Sequence, residues 1–202
     1  MLSPADRARV EGAIRDAERG TAGEIVVVVA RHASLYRALP AVYALLASLL
    51  VPWPLIMGTN LAVGAIALAE AGVALAVAAA CWPVPVRFRL APPGLRRLRA
   101  REAAEREFRS HGMTDTRGRT GILLFLAEAE RHAEVIGDVA ISREVPADAW
   151  RSVIEALVGA LARGQAADGL VGAVEEIGRI LARHAPARDD DADELPNRLV
   201  LL

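Results

Sequence analysis

Two aspartates stand out among the groups that could do chemistry. Asp138 follows an apolar stretch at a Gly-Asp step. Asp115 lies in a polar segment with Arg117, Arg119 and Thr120 close behind it. Carboxylate oxygens from both would suit a hard divalent ion, calcium or magnesium; Asp beside Gly is also ordinary turn chemistry. The four histidines, His32, His111, His132 and His184, are scattered without metal-ligand spacing, and Cys81 is the only cysteine. That excludes an intramolecular disulfide and a cysteine zinc cluster. No phosphate-binding glycine loop, nucleophile elbow or dinucleotide fingerprint is present. Catalytic residues stay unassigned, and no motif predicts an organic cofactor.

Glu70 raises a different question, because it is the one charged residue between Leu39 and Cys81. A bilayer core of about 30 Å needs roughly 20 helical residues. The stretches 39–57 and 61–81 meet that length, separated by Gly58, Thr59 and Asn60, so they predict a transmembrane hairpin. Pro52 and Pro54 predict a kink late in the first span. A carboxylate at mid-span costs about 2.5–3.5 kcal/mol on insertion scales, which Glu70 can relieve by protonation or by pairing across a membrane partner or a second copy. Residues 1–34 are charged and the apolar stretch begins late, unlike a signal peptide.

Arginines flank this hairpin: Arg31 and Arg37 before it, Arg87, Arg89, Arg96, Arg97, Arg99 and Arg101 after it. The connecting turn carries no charge. Positive residues stay in the cytoplasm, so both termini are expected there, in the inner membrane of a bacterial cell. Arg31, Arg37, Arg87 and Arg89 are the candidate membrane-interface residues, facing anionic headgroups. The whole chain is nearly neutral, with 24 Arg against 25 acids, and is 53% hydrophobic. Such a balance excludes a nucleic-acid binder driven by bulk positive charge.

The elements that must position these groups lie on both sides of the hairpin. Residues 3–20 read as a helix capped by Ser3, with Pro4 at its first position. Residues 24–30 (EIVVVVA) read as a strand buried on both faces. After the hairpin, the four prolines of 82–93 predict a stiff extended linker. A helix follows over 94–111, with Leu95, Leu98, Ala104 and Phe108 on one side. Strands at 122–127 and 134–136 form a hairpin through Glu130 and Arg131. Two amphipathic helices finish the fold. Pro146 opens one, and the other carries Leu170, Val174, Ile177 and Leu181. A lone strand is unstable in water, so 24–30 must pair with 122–127 in parallel. The chain thus divides into 1–34 and 100–187 as two parts of one α/β domain, 35–83 as the hairpin, 84–99 as linker and helix start, and 188–202 as an acidic tail.

TAGEIVVVV at 21–29 and RTGILLFLAEAERHAEVIGD at 119–138 resemble the TPM-domain family, the thylakoid-lumen phosphatase-like domains. Trp150, RGQAADGL at 163–170 and the closing ELPNRLVLL add to the likeness, which is nearest to the membrane-bound, uncharacterised bacterial branch. The resemblance implies a three-layer α/β/α sandwich. It implies a module that binds a partner or serves a membrane assembly, or alternatively a metal-dependent phosphatase; many relatives place the domain outside the cytoplasm, whereas the arginine pattern here places it inside. Relatives often carry an acidic residue just before the glycine that opens the second strand; here Arg119 and Thr120 precede Gly121.

Overall fold

The computed structural model describes residues 2–187 and 198–202, so the acidic run 189–194 lies outside the described residues. Residues 1–33 and 97–202 form one unit, and residues 34–96 form a second.

The first unit opens with α1 (Pro4–Glu18), where Ser3 and Asp6 close a reciprocal capping box. Strand β1 (Ile25–Ala30) follows, and all six of its residues are buried. Strand β2 (Ile122–Ala127) runs parallel to it, from Ile25 opposite Ile122 to Ala30 opposite Ala127. The parallel pairing expected from sequence is present. Strand β3 (His132–Gly137) returns antiparallel to β2. It is longer at both ends than the EVI segment alone suggests.

A fourth strand has no clear signature in the sequence. Within the stretch expected to be only an acidic tail, Leu199–Leu201 forms β4 and pairs in parallel with the far edge of β1. The sheet order is therefore β3-β2-β1-β4. The four apolar residues 199–202 after Arg198 are too short a run to announce a strand, and β1 supplies its hydrogen bonds.

Alternate residues of the sheet face two helical layers. Val27, Val29, Ile122, Leu124 and Leu126 pack with Val10 and Ile14 of α1. They meet Val153 and Leu157 of α8 (Ala147–Ala162) and Leu170, Val174 and Ile177 of α9 (Ala166–His184) on the same face. Gly178 of α9 lets α1 approach closely, since a Cβ there would stand 2.7 Å from that of Ala17. On the opposite face, Val26, Val28, Leu123 and Phe125 meet Ala100, Ala103, Ala104 and Phe108 of α6 (Pro93–Ser110). Leu98, expected inward, is 52% exposed. Small alanines form the inward face instead, bringing the helix near the strands. The result is the three-layer α/β/α arrangement. A short helix that the sequence pattern does not announce, α7 (Val139–Glu144), lies between β3 and α8.

The second unit is helical. α2 (Leu39–Leu50) and α3 (Pro52–Gly58) are separated at Val51, where Pro52 lacks the N–H that would continue the first helix. They return through α4 (Val63–Cys81). The stretches Leu39–Gly58 and Val63–Cys81 are each long and apolar enough to cross a membrane. The extended linker expected after them is in part helical, since Val84–Leu90 forms α5. Pro83 sits at its N-cap and Pro85 in its first turn, positions where a missing N–H breaks no helix bond.

Candidate functional site

Gly121 stands immediately before β2, and only glycine fits there. A Cβ would lie 2.6 Å from the Met113 carbonyl oxygen, because the loop carrying Asp115 folds back across this point. The β2–β3 register sets Gly137 opposite Ile122, so the Asp138 backbone N–H donates to the Gly121 carbonyl at 2.9 Å. The Asp115 loop and the Asp138 turn thus both pack onto Gly121, at the amino ends of the parallel strands.

Their side chains meet different fates. Asp138 is buried, with 3% of its side chain exposed, and Arg119 grips it from the solvent side. Arg119 Nε lies 2.7 Å from Oδ2, and Nη2 donates to Oδ1 at 3.1 Å. Oδ1 also accepts the Val139 N–H at 2.7 Å, which makes Asp138 the N-cap of α7. Arg119 adopts a left-handed backbone, φ 55°, and its carbonyl accepts the Ala140 N–H at 3.3 Å. The neighbouring threonines complete the edge: Thr120 Oγ1 donates to the Ala22 carbonyl at 2.7 Å, and Thr116 Oγ1 accepts the Thr120 N–H. Asp115 is exposed, and among the described residues its carboxylate accepts from the Thr114 hydroxyl, at 3.4 Å.

A hard cation seeks six to eight oxygen ligands. Seating one on Asp138 requires Arg119 to leave, and among the described residues no three His, Cys, Asp or Glu side chains converge as a metal site would need. As placed, the set fits an ion-paired structural clasp better than a cation cage. Sequence reasoning missed the Arg119–Asp138 pair. The hairpin register carried the signal, since pairing 122 with 137 puts the residues flanking them side by side.

Arg31 leaves the carboxyl end of β1, in the first unit. There a cavity of about 370 Å³ is bordered by Arg7, Arg31, Glu128 and Leu201, at the sheet edge where open α/β folds bind ligands. Nearby, the buried Glu130 accepts the Ala33 N–H at 3.1 Å. Arg37, Arg87 and Arg89 belong to the second unit. Arg37 and Arg89 are exposed, while Arg87 is half-buried and donates to the Leu35 carbonyl at 2.9 Å. His111 lies 3.5 Å from Glu107 and His132 3.4 Å from Glu134.

Residues 94–180 match the family model of the TPM domain. That segment carries the TPM domain. The match runs from α6 through β2, β3, α7 and α8 into α9, so Arg119 and Asp138 lie inside it. No curated protein matches the chain in sequence. Among solved structures, the BA42 protein from the psychrophilic bacterium Bizionia argentinensis, determined by NMR, is similar, with a TM-score of 0.62 and 21% identity. The likeness covers 100% of this chain and 96% of that one. At that identity the comparison speaks to the fold alone.

Proposed function

We propose that the hairpin of α2, α3 and α4 sits in a lipid bilayer and holds the TPM domain at the cytoplasmic face, where it binds a protein partner of a membrane assembly. The observation that carries this reading is the hairpin's uncovered apolar surface. Leu45 is 70% exposed, Leu68 77% and Leu75 73%. None of the most apolar part of the second stretch is buried, and 17% of the first. A helical hairpin in the core of a soluble protein would be covered, and apolar patches of this extent mark membrane or protein contact. Arginines on both flanks and an uncharged turn favour the cytoplasmic side for the domain.

Partner binding rather than hydrolysis is favoured by the state of Asp138. A carboxylate clasped by a guanidinium and capping a helix is held as a structural acceptor, not poised as a base or cation ligand. The test is phosphomonoesterase activity of the purified full chain with Mg²⁺ and with Ca²⁺. We expect no turnover that depends on Asp138. Metal-dependent turnover abolished by Asp138→Asn would overturn the binding reading in favour of the hydrolase.

A further inference from the structure

The cavity beside the carboxyl end of β1 has a place in the topology, and all the residues that line it belong to the first unit. From β1 the chain reaches β2 on one side by way of α6, which packs on the Val26 and Val28 face. On the other side β4 joins after α8 and α9, which pack on the Val27 and Val29 face. The strand order therefore reverses between β1 and β4, and the carboxyl ends of strands at such a reversal leave a crevice. Val29 of β1 and Leu201 of β4 are paired there and both line the cavity.

Hydrogen bonds of the sheet hold this crevice open and shaped. The Leu202 N–H donates to the Val29 carbonyl and the Arg31 N–H to Leu202 O, both at 3.0 Å. The Glu128 N–H donates to the Ala30 carbonyl at 2.9 Å. Arg31 and Glu128 thus continue the pairing of Ala30 with Ala127, and Arg7 borders the same cavity from α1.

The lining is of two kinds. Leu2, Val29 and Leu201 form an apolar wall, while Arg7, Arg31 and Glu128 bring charges of both signs. Neither the Arg7 guanidinium nor the Glu128 carboxylate has an ion-pair partner among the described residues. A phosphate or a plain fatty acid would meet Glu128 as a like charge, and a metal ion would meet two guanidinium groups. A zwitterion answers both signs. Its carboxylate accepts from the arginines through charge-assisted bonds, its ammonium donates to Glu128, and an aliphatic side chain covers the apolar wall. Ligand pockets start at about 300 Å³, so a cavity of about 370 Å³ suits a small molecule.

We infer that this cavity binds a free aliphatic α-amino acid of the leucine type. The inference goes beyond the bilayer and partner-binding readings and does not depend on either.

Saturation-transfer NMR titrations of the full chain in mild detergent, with L-leucine as the probe, test this. Leucinol lacks the carboxylate, 4-methylpentanoate lacks the ammonium and glycine lacks the side chain. Each is expected to bind about tenfold more weakly than leucine. Arg7→Gln, Arg31→Gln and Glu128→Gln are each expected to weaken leucine about fivefold. Glu128→Gln should leave 4-methylpentanoate no weaker, since the like charge is gone. Arg15→Gln removes an exposed charge from α1 outside the cavity, and should stay within about twofold of the parent. No leucine binding by the parent chain would overturn the inference, as would 4-methylpentanoate or leucinol binding as well as leucine. So would a loss in Arg15→Gln equal to that in Arg7→Gln, or unchanged leucine binding in Arg31→Gln.

Discussion

Replacing the exposed Arg119 is expected to cost more than altering the buried Asp138. Asp138→Asn keeps an oxygen to accept the Val139 N–H, so α7 retains its cap, while the variant loses the charge and the acceptor that faced Arg119 Nε. Its expected cost is about 1 kcal/mol. Arg119→Ala leaves a carboxylate with 3% of its side chain exposed and one remaining N–H donor. Breaking a fully buried pair this way costs about 3–5 kcal/mol. The Arg119 side chain is 51% exposed, so water can follow it in, and about 2 kcal/mol is the appropriate figure. The double variant Arg119→Ala/Asp138→Asn removes the stranded charge and should regain part of that loss, a positive coupling of about 1 kcal/mol. Urea unfolding of the full chain in mild detergent measures this, followed by Trp150 after Trp53 and Trp82 are changed to Phe. Arg119→Ala proving no more damaging than Asp138→Asn, or the double variant proving no better than Arg119→Ala, would refute the clasp.

Leu124 is fully buried between β1 and β3 against α8 and α9, so Leu124→Ala should lower the unfolding free energy by about 2–5 kcal/mol in the same assay. Gly121→Ala would push a Cβ to 2.6 Å from the Met113 carbonyl. It is expected to cost about 2 kcal/mol, with faster amide exchange across 113–120. The Asp6 carboxyl is held below its ordinary range, first by the Ser3 hydroxyl and then by the Ser3 backbone N–H. The unfolded chain takes up that proton more readily than the fold does. The cap's contribution is therefore complete above the ordinary aspartate range and disappears as pH falls through the lowered value. Asp6→Asn should be less stable than the parent near neutrality and indistinguishable from it in acid, as unfolding midpoints at the two pH values would show.

The strongly patterned elements are legible in the amino-acid sequence. Continuous β-branched and aliphatic runs at 24–30 and 122–127 have one economical home, side by side in a buried parallel sheet, and they pair there residue for residue. Ser3 and Pro4 announce α1 because capping is local chemistry. What stays hidden depends on context. β4 owes its strand conformation to the free edge of β1, and α7 to the carboxylate that caps it. Prolines at 83 and 85 suggest an extended linker, yet at a helix start they favour the helix. Asp115 and Asp138 are legible as candidates, and their loops do converge on Gly121. Arg119 as the partner of Asp138 emerges only from the hairpin register, which sequence spacing alone does not disclose.

The role proposed for the TPM domain turns on whether the hairpin crosses a bilayer with its turn facing out. A single cysteine at Thr59, in a Cys81→Ala background, answers this in intact spheroplasts treated with a membrane-impermeant maleimide. Thr59 lies in the turn between α3 and α4. Labelling from outside, before lysis, is the expected result. Labelling only after lysis would contradict it, placing the turn on the same side as the TPM domain and removing the reason for that domain to sit at a membrane.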